Sequence, residues 1–186
     1  MTFGYDPSIQ PTAYDPAAAK EALAKSGYAG EPVVMQYPNN NVASNDAVAQ
    51  AVVGYLQAVG INAQLQGMEY TAFFPLWLGR KLNEMHMFSY GPTNLDADLP
   101  LTSLYETGRT RGYWENEETV KLARAQRATA DEAKRKELIS QIWKQTKDEV
   151  IYSLLYNETH VWGVGPRIEV APRADGLVRL REISLK

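Results

Sequence analysis

Cysteine is absent from this chain, which removes disulfides, thiolate nucleophiles and cysteine-rich metal sites together. Its absence is compatible with an oxidising compartment. Histidine is scarce, with only His86 and His160. His86 stands between Met85 and Met87 without a histidine or carboxylate at ligand spacing. Glu158 and His160 make only a Glu-x-His pair, which singles out no chemistry. Long apolar runs are missing: residues 48–53 are too short and too polar to cross a bilayer. Charge of one sign is not in excess, since 19 Lys+Arg against 22 Asp+Glu leave −3. Nucleic acid and anionic membranes are therefore not expected partners. The opening Met-Thr-Phe-Gly-Tyr-Asp has neither the basic nor the apolar segment of a secretory signal. No phosphate loop is present, because Gly163-Val-Gly165 meets a proline and not a helix. No nucleophile elbow appears either. Asp96-Ala-Asp98 suggests calcium at first sight, but Leu99-Pro100 follows where a calcium loop needs a further ligand and a glycine. No catalytic residue, metal or cofactor is expected on these grounds.

What remains is ordinary globular composition, 45% hydrophobic and 22% charged over 186 residues, enough for one domain with a sizeable core. Residues 1–14, rich in Pro and Tyr, read as loop. Asp15-Pro16 starts a helix over 17–26, with Asp15 as N-cap, Pro16 in the first turn and Gly27 as C-terminal cap. Residues 31–37 (EPVVMQY) read as a strand that Asn39-Asn40-Asn41 breaks. Ser44 caps a second helix to about Val59, with Val48, Val52, Tyr55, Leu56 and Val59 at helical spacing. Gly60 ends it, and residues 61–68 alternate as a second strand. Strand, helix and strand with short links make a βαβ unit with parallel strands.

A short amphipathic helix follows over about 71–81, in which Pro75 fits only the first turn. Residues 85–90 then read as a third strand and 91–99 as a polar loop. The clearest helices are 117–128 and 130–150, the second opened by a capping box at Thr129-Ala-Asp-Glu132. Leu138, Ile139, Ile142 and Trp143 are its buried stripe; Lys134, Arg135, Lys136 and Lys144 are its solvated face. Residues 151–156 and 177–183 read as strands. Eleven Tyr and four Trp are a generous supply of amphipathic rings. Tyr37, Tyr70, Tyr90, Tyr105, Tyr113 and Trp114 fall near strand ends and loops, where rings either wall a solute cleft or simply pack.

The order of these segments resembles one family. Tyr14-Asp15-Pro16 through Lys20, Leu23 and Gly27-Tyr28 is similar to its "YDP-xx-A-xxx-L-xxx-G" segment. The helix closing in Leu56-Gln-Ala-Val-Gly60-Ile61-Asn62-Ala63 resembles its "L-xxx-G-I-x-V" passage, with Ala63 in place of Val. The run Thr129 to Leu138, with Asp131, Arg135 and Leu138, resembles its "D-xxx-R-xx-L" helix. Residues 151–156 and the closing 172–177 resemble its last strand and tail. On these motifs the chain is identified as a member of the extracytoplasmic solute-binding proteins of oligopeptide, dipeptide, nickel and opine ABC importers.

That resemblance implies an α/β fold. The chain would be an incomplete C-terminal lobe of a type II periplasmic-binding-protein-like fold, a mixed sheet flanked by helices. Residues 1–158 would form part of that second lobe, and 159–186 would be a tail returning to the N-terminal lobe, which has no counterpart here. The chain is thus expected to be a portion of a longer periplasmic or extracytoplasmic protein. Its implied partners are a peptide-like solute and the permease subunits of the importer. The strand 177–183, lacking its usual partner, would favour self-association through the tail. The aromatic-Gly pair Tyr90-Gly91 and the loop after it are implied to line the cleft. That gives Tyr90, Gly91, Thr93, Asn94, Asp96 and Asp98 as ligand contacts, with Tyr70 and Arg80. Peptide-binding relatives carry an aspartate soon after the aromatic; here Pro92, Thr93 and Asn94 occupy those places. Asp96 and Asp98 read equally as a solvated turn, and Gly79-Arg80-Lys81 as a helix end facing water. Two rivals stand beside this reading: a free-standing α/β binding or chaperone-like domain, and a small hydrolase using Asp96, Asp98 or His86.

Overall fold

The computed structural model describes residues 2–83, 85–91, 94–106, 113–159, 161–173 and 175–186. These fall into two compact units, one of residues 12–89 and one of residues 1–11 with 90–186.

The 12–89 unit is built on a three-stranded sheet of order β2-β1-β3, with β1 spanning Val33–Pro38, β2 Ala63–Met68 and β3 Met85–His86. Both pairings are parallel, as the strand-helix-strand reading required. Helix α1, Pro16–Lys25, starts where the sequence places it, with Asp15 Oδ1 accepting from the Ala17 and Ala18 amides at 3.0 and 2.9 Å. Helix α2, Asn45–Ala58, begins at Ser44, but the Ser44 side chain makes no capping bond there. Instead Asn45 is buried and its Nδ2 donates to the Pro38 carbonyl and to Asn41 Oδ1, both at 2.8 Å. The buried ridge of α2 is Asn45, Ala49 and Val53, one residue round from the expected stripe. Tyr55 consequently points outward and meets Tyr14 edge-on at 5.7 Å.

Met35, Tyr37, Ala49, Val53 and Ala63 form this unit's core, with Val52, Leu56, Ile61, Met85 and Met87 packed against it. Helix α3, Tyr70–Leu78, holds Pro75 in its interior and not in its first turn. An interior proline loses one backbone bond and costs about 3 kcal/mol. Burial of Phe73 and Trp77 offsets that, with the Trp77 and Phe88 rings stacked 4.0 Å apart. The third strand is only two residues long; from Met87 onward the chain leaves the sheet after one more bond, Met87 N–H to Gln36 C=O.

The other unit is helical: α4 Asp98–Tyr105, α5 Glu117–Arg127 and α6 Glu132–Asp148. Ala97, Leu101, Tyr105, Ala123, Ile139 and Ile142 are its core. Ile139 and Ile142 are fully buried, each worth about 1.5–3 kcal/mol over an exposed position. Helix α4 begins in the last two residues of the stretch read as loop, 91–99, and continues over 100–105, where the sequence reading assigns no element. Its Pro100 is the third residue, where a missing N–H costs nothing. Helix α6 is capped by Asp131, whose Oδ1 accepts from the Lys134 amide at 3.0 Å. The expected box partner, Thr129, instead donates its hydroxyl to the Ala125 carbonyl at the end of α5.

Residues 2–5 are loop, as read, but anchored: Phe3 forms a parallel bridge with Asp96, and the Trp143 indole donates to the Gly4 carbonyl at 2.9 Å. Two expected strands are corrected. Residues 151–156 form no strand, and Leu154, Leu155 and Tyr156 are exposed. Among the described residues antiparallel pairing occurs only in a separate two-stranded sheet, β4 Ile168–Glu169 with β5 Ser184–Leu185. The last strand is thus shorter and later than 177–183, most of which is irregular apart from a 3-10 turn at Leu180–Glu182. Arg173, Asp175, Arg179 and Glu182 knit this tail by ion pairs, Arg173 meeting Asp175 at 2.6 Å. His160 and Thr93 lie outside the described residues.

Candidate functional site

In the 12–89 unit the candidate residues sit where parallel sheets present their strand ends. All three strands run the same way, so Pro38, Met68 and His86 finish at one edge. The chain leaving β1 is Asn39-Asn40-Asn41, and the chain leaving β2 is Glu69-Tyr70. These two exits are tied together. The Asn39 amide donates to the Met68 carbonyl at 3.0 Å, and the Tyr70 amide to Asn40 Oδ1 at 2.7 Å. Asn40 Nδ2 in turn donates to Glu69 Oε2. Asn41 is fixed from beneath by the buried Asn45. The edge therefore offers an exposed amide and carboxylate next to the half-buried Tyr70 ring, which stacks on Phe74 at 5.3 Å.

Arg80 is not part of this edge. Tyr70 opens α3 and Arg80 lies two residues beyond its end, about 15 Å further along a helix that rises about 1.5 Å per residue. Arg80 is exposed and adopts φ +53°, the left-handed residue that closes the helix after Gly79.

The remaining candidates follow one another in the helical unit. The Tyr90 hydroxyl donates to Ser103 Oγ of α4 at 2.6 Å. Gly91 is exposed, and a side chain there would meet nothing within 4 Å. Asn94 is exposed, its Oδ1 accepting from the Asp96 amide at 3.2 Å. Asp96 and Asp98 are neither a solvated turn nor open acceptors. Arg135 grips Asp96 with two parallel bonds, Nη1 to Oδ2 at 2.9 Å and Nη2 to Oδ1 at 2.6 Å. These bonds hold the Asp96 carboxyl below the usual carboxylate range, burial opposing them. Asp98 Oδ1 accepts from Gln126 Nε2 at 2.5 Å and from Arg127 Nε at 3.1 Å. Arg135 therefore does not belong to the solvated face of α6. The hydrolase reading gains no support, since an aspartate gripped by a guanidinium is a poor base.

Among the other rings, packing wins. Tyr37 is buried with its hydroxyl on Asp46 Oδ1 at 2.9 Å. Tyr105 is buried against Trp114, Trp143 and Tyr152, its hydroxyl bonded to Thr146, and burial pushes its pKa up. Sequence reasoning missed Asn40 and Glu69, treating the triple Asn only as a strand breaker. The signal was available: both residues follow strands of a parallel pair, whose carboxyl ends carry the ligand sites of open α/β sheets. Among the described residues no cluster of His, Cys, Asp and Glu could hold a metal ion. Among the described residues no helix is long and apolar enough to cross a membrane.

The sequence matches the family described as bacterial extracellular solute-binding proteins, family 5 Middle, over residues 1–112. It is 29% identical over 146 residues to di/tripeptide-binding protein 2 of Pseudomonas aeruginosa (strain UCBPP-PA14), covering 73% of this chain and 27% of that protein. The fold is similar to the Escherichia coli murein tripeptide binding protein MppA, with TM-score 0.83, 16% identity, and 99% of this chain against 38% of the other. It is also similar to the oligopeptide-binding protein AppA from Bacillus subtilis in complex with a nonapeptide, at TM-score 0.79 and 15% identity. That match covers all of this chain, 100%, and 40% of AppA. The chain thus spans roughly a quarter to two fifths of the relatives it matches.

Proposed function

Because the chain belongs to family 5 of the bacterial extracellular solute-binding proteins, we propose that it is part of the solute-binding component of an ABC importer for peptides or peptide-like solutes. The observation that carries the reading is the carboxyl edge of the parallel sheet, with Tyr70, Asn40 and Glu69 joined by hydrogen bonds. Ligands of open α/β sheets bind outside that edge. An aromatic face beside an amide and a carboxylate suits a short peptide. The ring packs on side chains, the carboxylate pairs with an amine, and the amide reads the backbone. In the helical unit, Tyr90, Gly91 and Asn94 are the proposed contacts, while Asp96 and Asp98 hold their segment in place. Short peptides are favoured by the name of the Pseudomonas relative, a di/tripeptide-binding protein.

In this reading the solute is held by closure of two lobes, residues 1–158 supplying part of the second and 159–186 returning toward the first. Ligand favours the closed state by differential affinity. The protein works outside the cytoplasm, docks on a permease and catalyses nothing; ATP hydrolysis belongs to other subunits. The exposed Leu154, Val161, Leu180 and Leu185 support association of chains through the tail segment. The test is a thermal-shift screen of the chain against dipeptides, trialanine, an opine, a sugar and nickel ions. A peptide at 100 times its Kd stabilises by about 2.7 kcal/mol, a shift of several degrees. Stabilisation by sugar or nickel and by no peptide would overturn the proposal.

A further inference from the structure

We infer that Arg135 is the positioning residue for Asn94: its guanidinium fixes the strained turn at Leu95, and so fixes how the segment that starts at Asn94 meets a solute. The inference rests on the proposed role of that segment in binding, and deepens it.

Arg135 is the fourth residue of α6, and its guanidinium is engaged through all three nitrogens and one flat face. The two Nη groups grip both oxygens of Asp96. Nε donates to Gln126 Oε1 at 3.0 Å. The flat face lies 4.5 Å from the Phe3 ring centre. Gln126 is fully buried and passes the connection on, its Nε2 donating to Asp98. Phe3 closes the other side: its amide donates to the Leu95 carbonyl at 2.8 Å, and its own carbonyl accepts from the Ala97 amide at 3.0 Å. Enclosed by these bonds, Leu95 has φ +55°, a left-handed conformation that leucine disfavours. Such a residue persists only where its surroundings over-determine it. Here Asp96 and Phe3 flank it on either side, and Arg135 touches both. The clamp's outer end is exposed chain at Asn94, whereas the core contacts of α6 are made by Ile139 and Ile142. Positioning and core packing therefore use different residues of the same helix. Lysine cannot substitute, because a single ammonium on a flexible stem reproduces neither the bidentate fork nor the third bond.

The test uses the 186-residue chain as Arg135→Gln and Arg135→Lys, with hydrogen exchange of backbone amides and trialanine binding by calorimetry. Both variants should exchange the Phe3, Ala97 and Asp98 amides on the order of tenfold faster or more, with α5 and α6 still protected. Trialanine affinity should fall by a similar factor, and Leu95→Gly in the Arg135→Gln background should restore part of it. Faster exchange with unchanged affinity overturns the positioning role, and unchanged exchange overturns the clamp itself. Loss of protection throughout α5 and α6 in the Lys variant also overturns it, since Arg135 would then serve general stability. If the parent chain does not bind trialanine, the binding role of the segment fails, while the exchange measurements alone decide whether Arg135 fixes the turn.

Discussion

Replacing Gly4 by alanine tests whether the first residues of the chain are part of a core or a trailing loop. Gly4 has φ +87°, and a Cβ there would lie 2.8 Å from Ala97 Cβ and 2.9 Å from Ile139 Cγ2. The backbone term costs an L-residue roughly 1–2 kcal/mol. Forcing a methyl into filled space adds about 1–3 kcal/mol. Alanine also stiffens the unfolded chain, which returns about 0.4–1 kcal/mol. The net loss is about 1–5 kcal/mol, with a midpoint of about 3, a large share of the 5–15 kcal/mol typical of a folded protein. Two controls separate the terms. Gly27 has φ +80° but open space around it, so Gly27→Ala should cost about 1 kcal/mol or less. Gly67 has no left-handed φ, but its Cβ would stand 3.0 Å from the Tyr37 hydroxyl, so Gly67→Ala reads the steric term without the backbone one, less the same unfolded-chain gain. The assay is hydrogen exchange in increasing urea, following peptides of α6 for Gly4 and of α2 for the two controls. A Gly4→Ala loss no greater than that of Gly27→Ala would refute the packing account of residues 3–5.

Two further outcomes are expected. Burial of His86 holds its pKa below the ordinary value, a backbone bond near Asn83 opposing it. The unfolded chain therefore takes the proton first, so stability is full above about pH 6.5 and is lost as pH falls from there toward the depressed folded value. His86→Gln should remove that part of the slope in thermal melts between pH 8 and 5, and parallel curves for the two proteins would contradict it. Light scattering should detect association that grows with concentration and weakens when Leu154 and Leu180, both 82% exposed, become Ser. A strictly monomeric parent chain would count against association through the tail.

How much of this was legible beforehand depended on whether a residue's role was local. Asp15-Pro16 announced its helix because a cap and a first-turn proline act within four residues, and the structure keeps both. The βαβ order was equally readable, since short links leave parallel strands little alternative. Helix α4 was hidden because Asp98, Leu99 and Pro100 look like a turn in isolation. Its support comes from Leu101 and Tyr105 packing on residues some 20–40 positions later. The short third strand and the absent one at 151–156 fail for the converse reason. Apolar runs with aromatic rings, such as 85–90 and 151–156, have strand propensity, but propensity is realised only beside a partner.

The candidate site divides along the same line. Tyr70 was singled out because an aromatic residue just after a strand is a local signal. Asn40 was passed over because its importance lies in a bond to the amide of Tyr70, thirty positions on. Arg135 is the clearest instance. Helical periodicity put it beside Lys134 and Lys136 on a charged face, and for those two lysines that face is indeed exposed. Nothing in the spacing distinguishes the middle cation. The distinction is made 39 residues upstream, where Asp96 turns inward, and by Gln126, which occupies a fully buried place on α5. A buried glutamine needs partners for both ends of its amide, and Arg135 and Asp98 supply them. A buried amide on a neighbouring helix is therefore a better guide to an engaged arginine than the arginine's own position in the heptad. Such a guide becomes usable only once α5 and α6 are known to be adjacent.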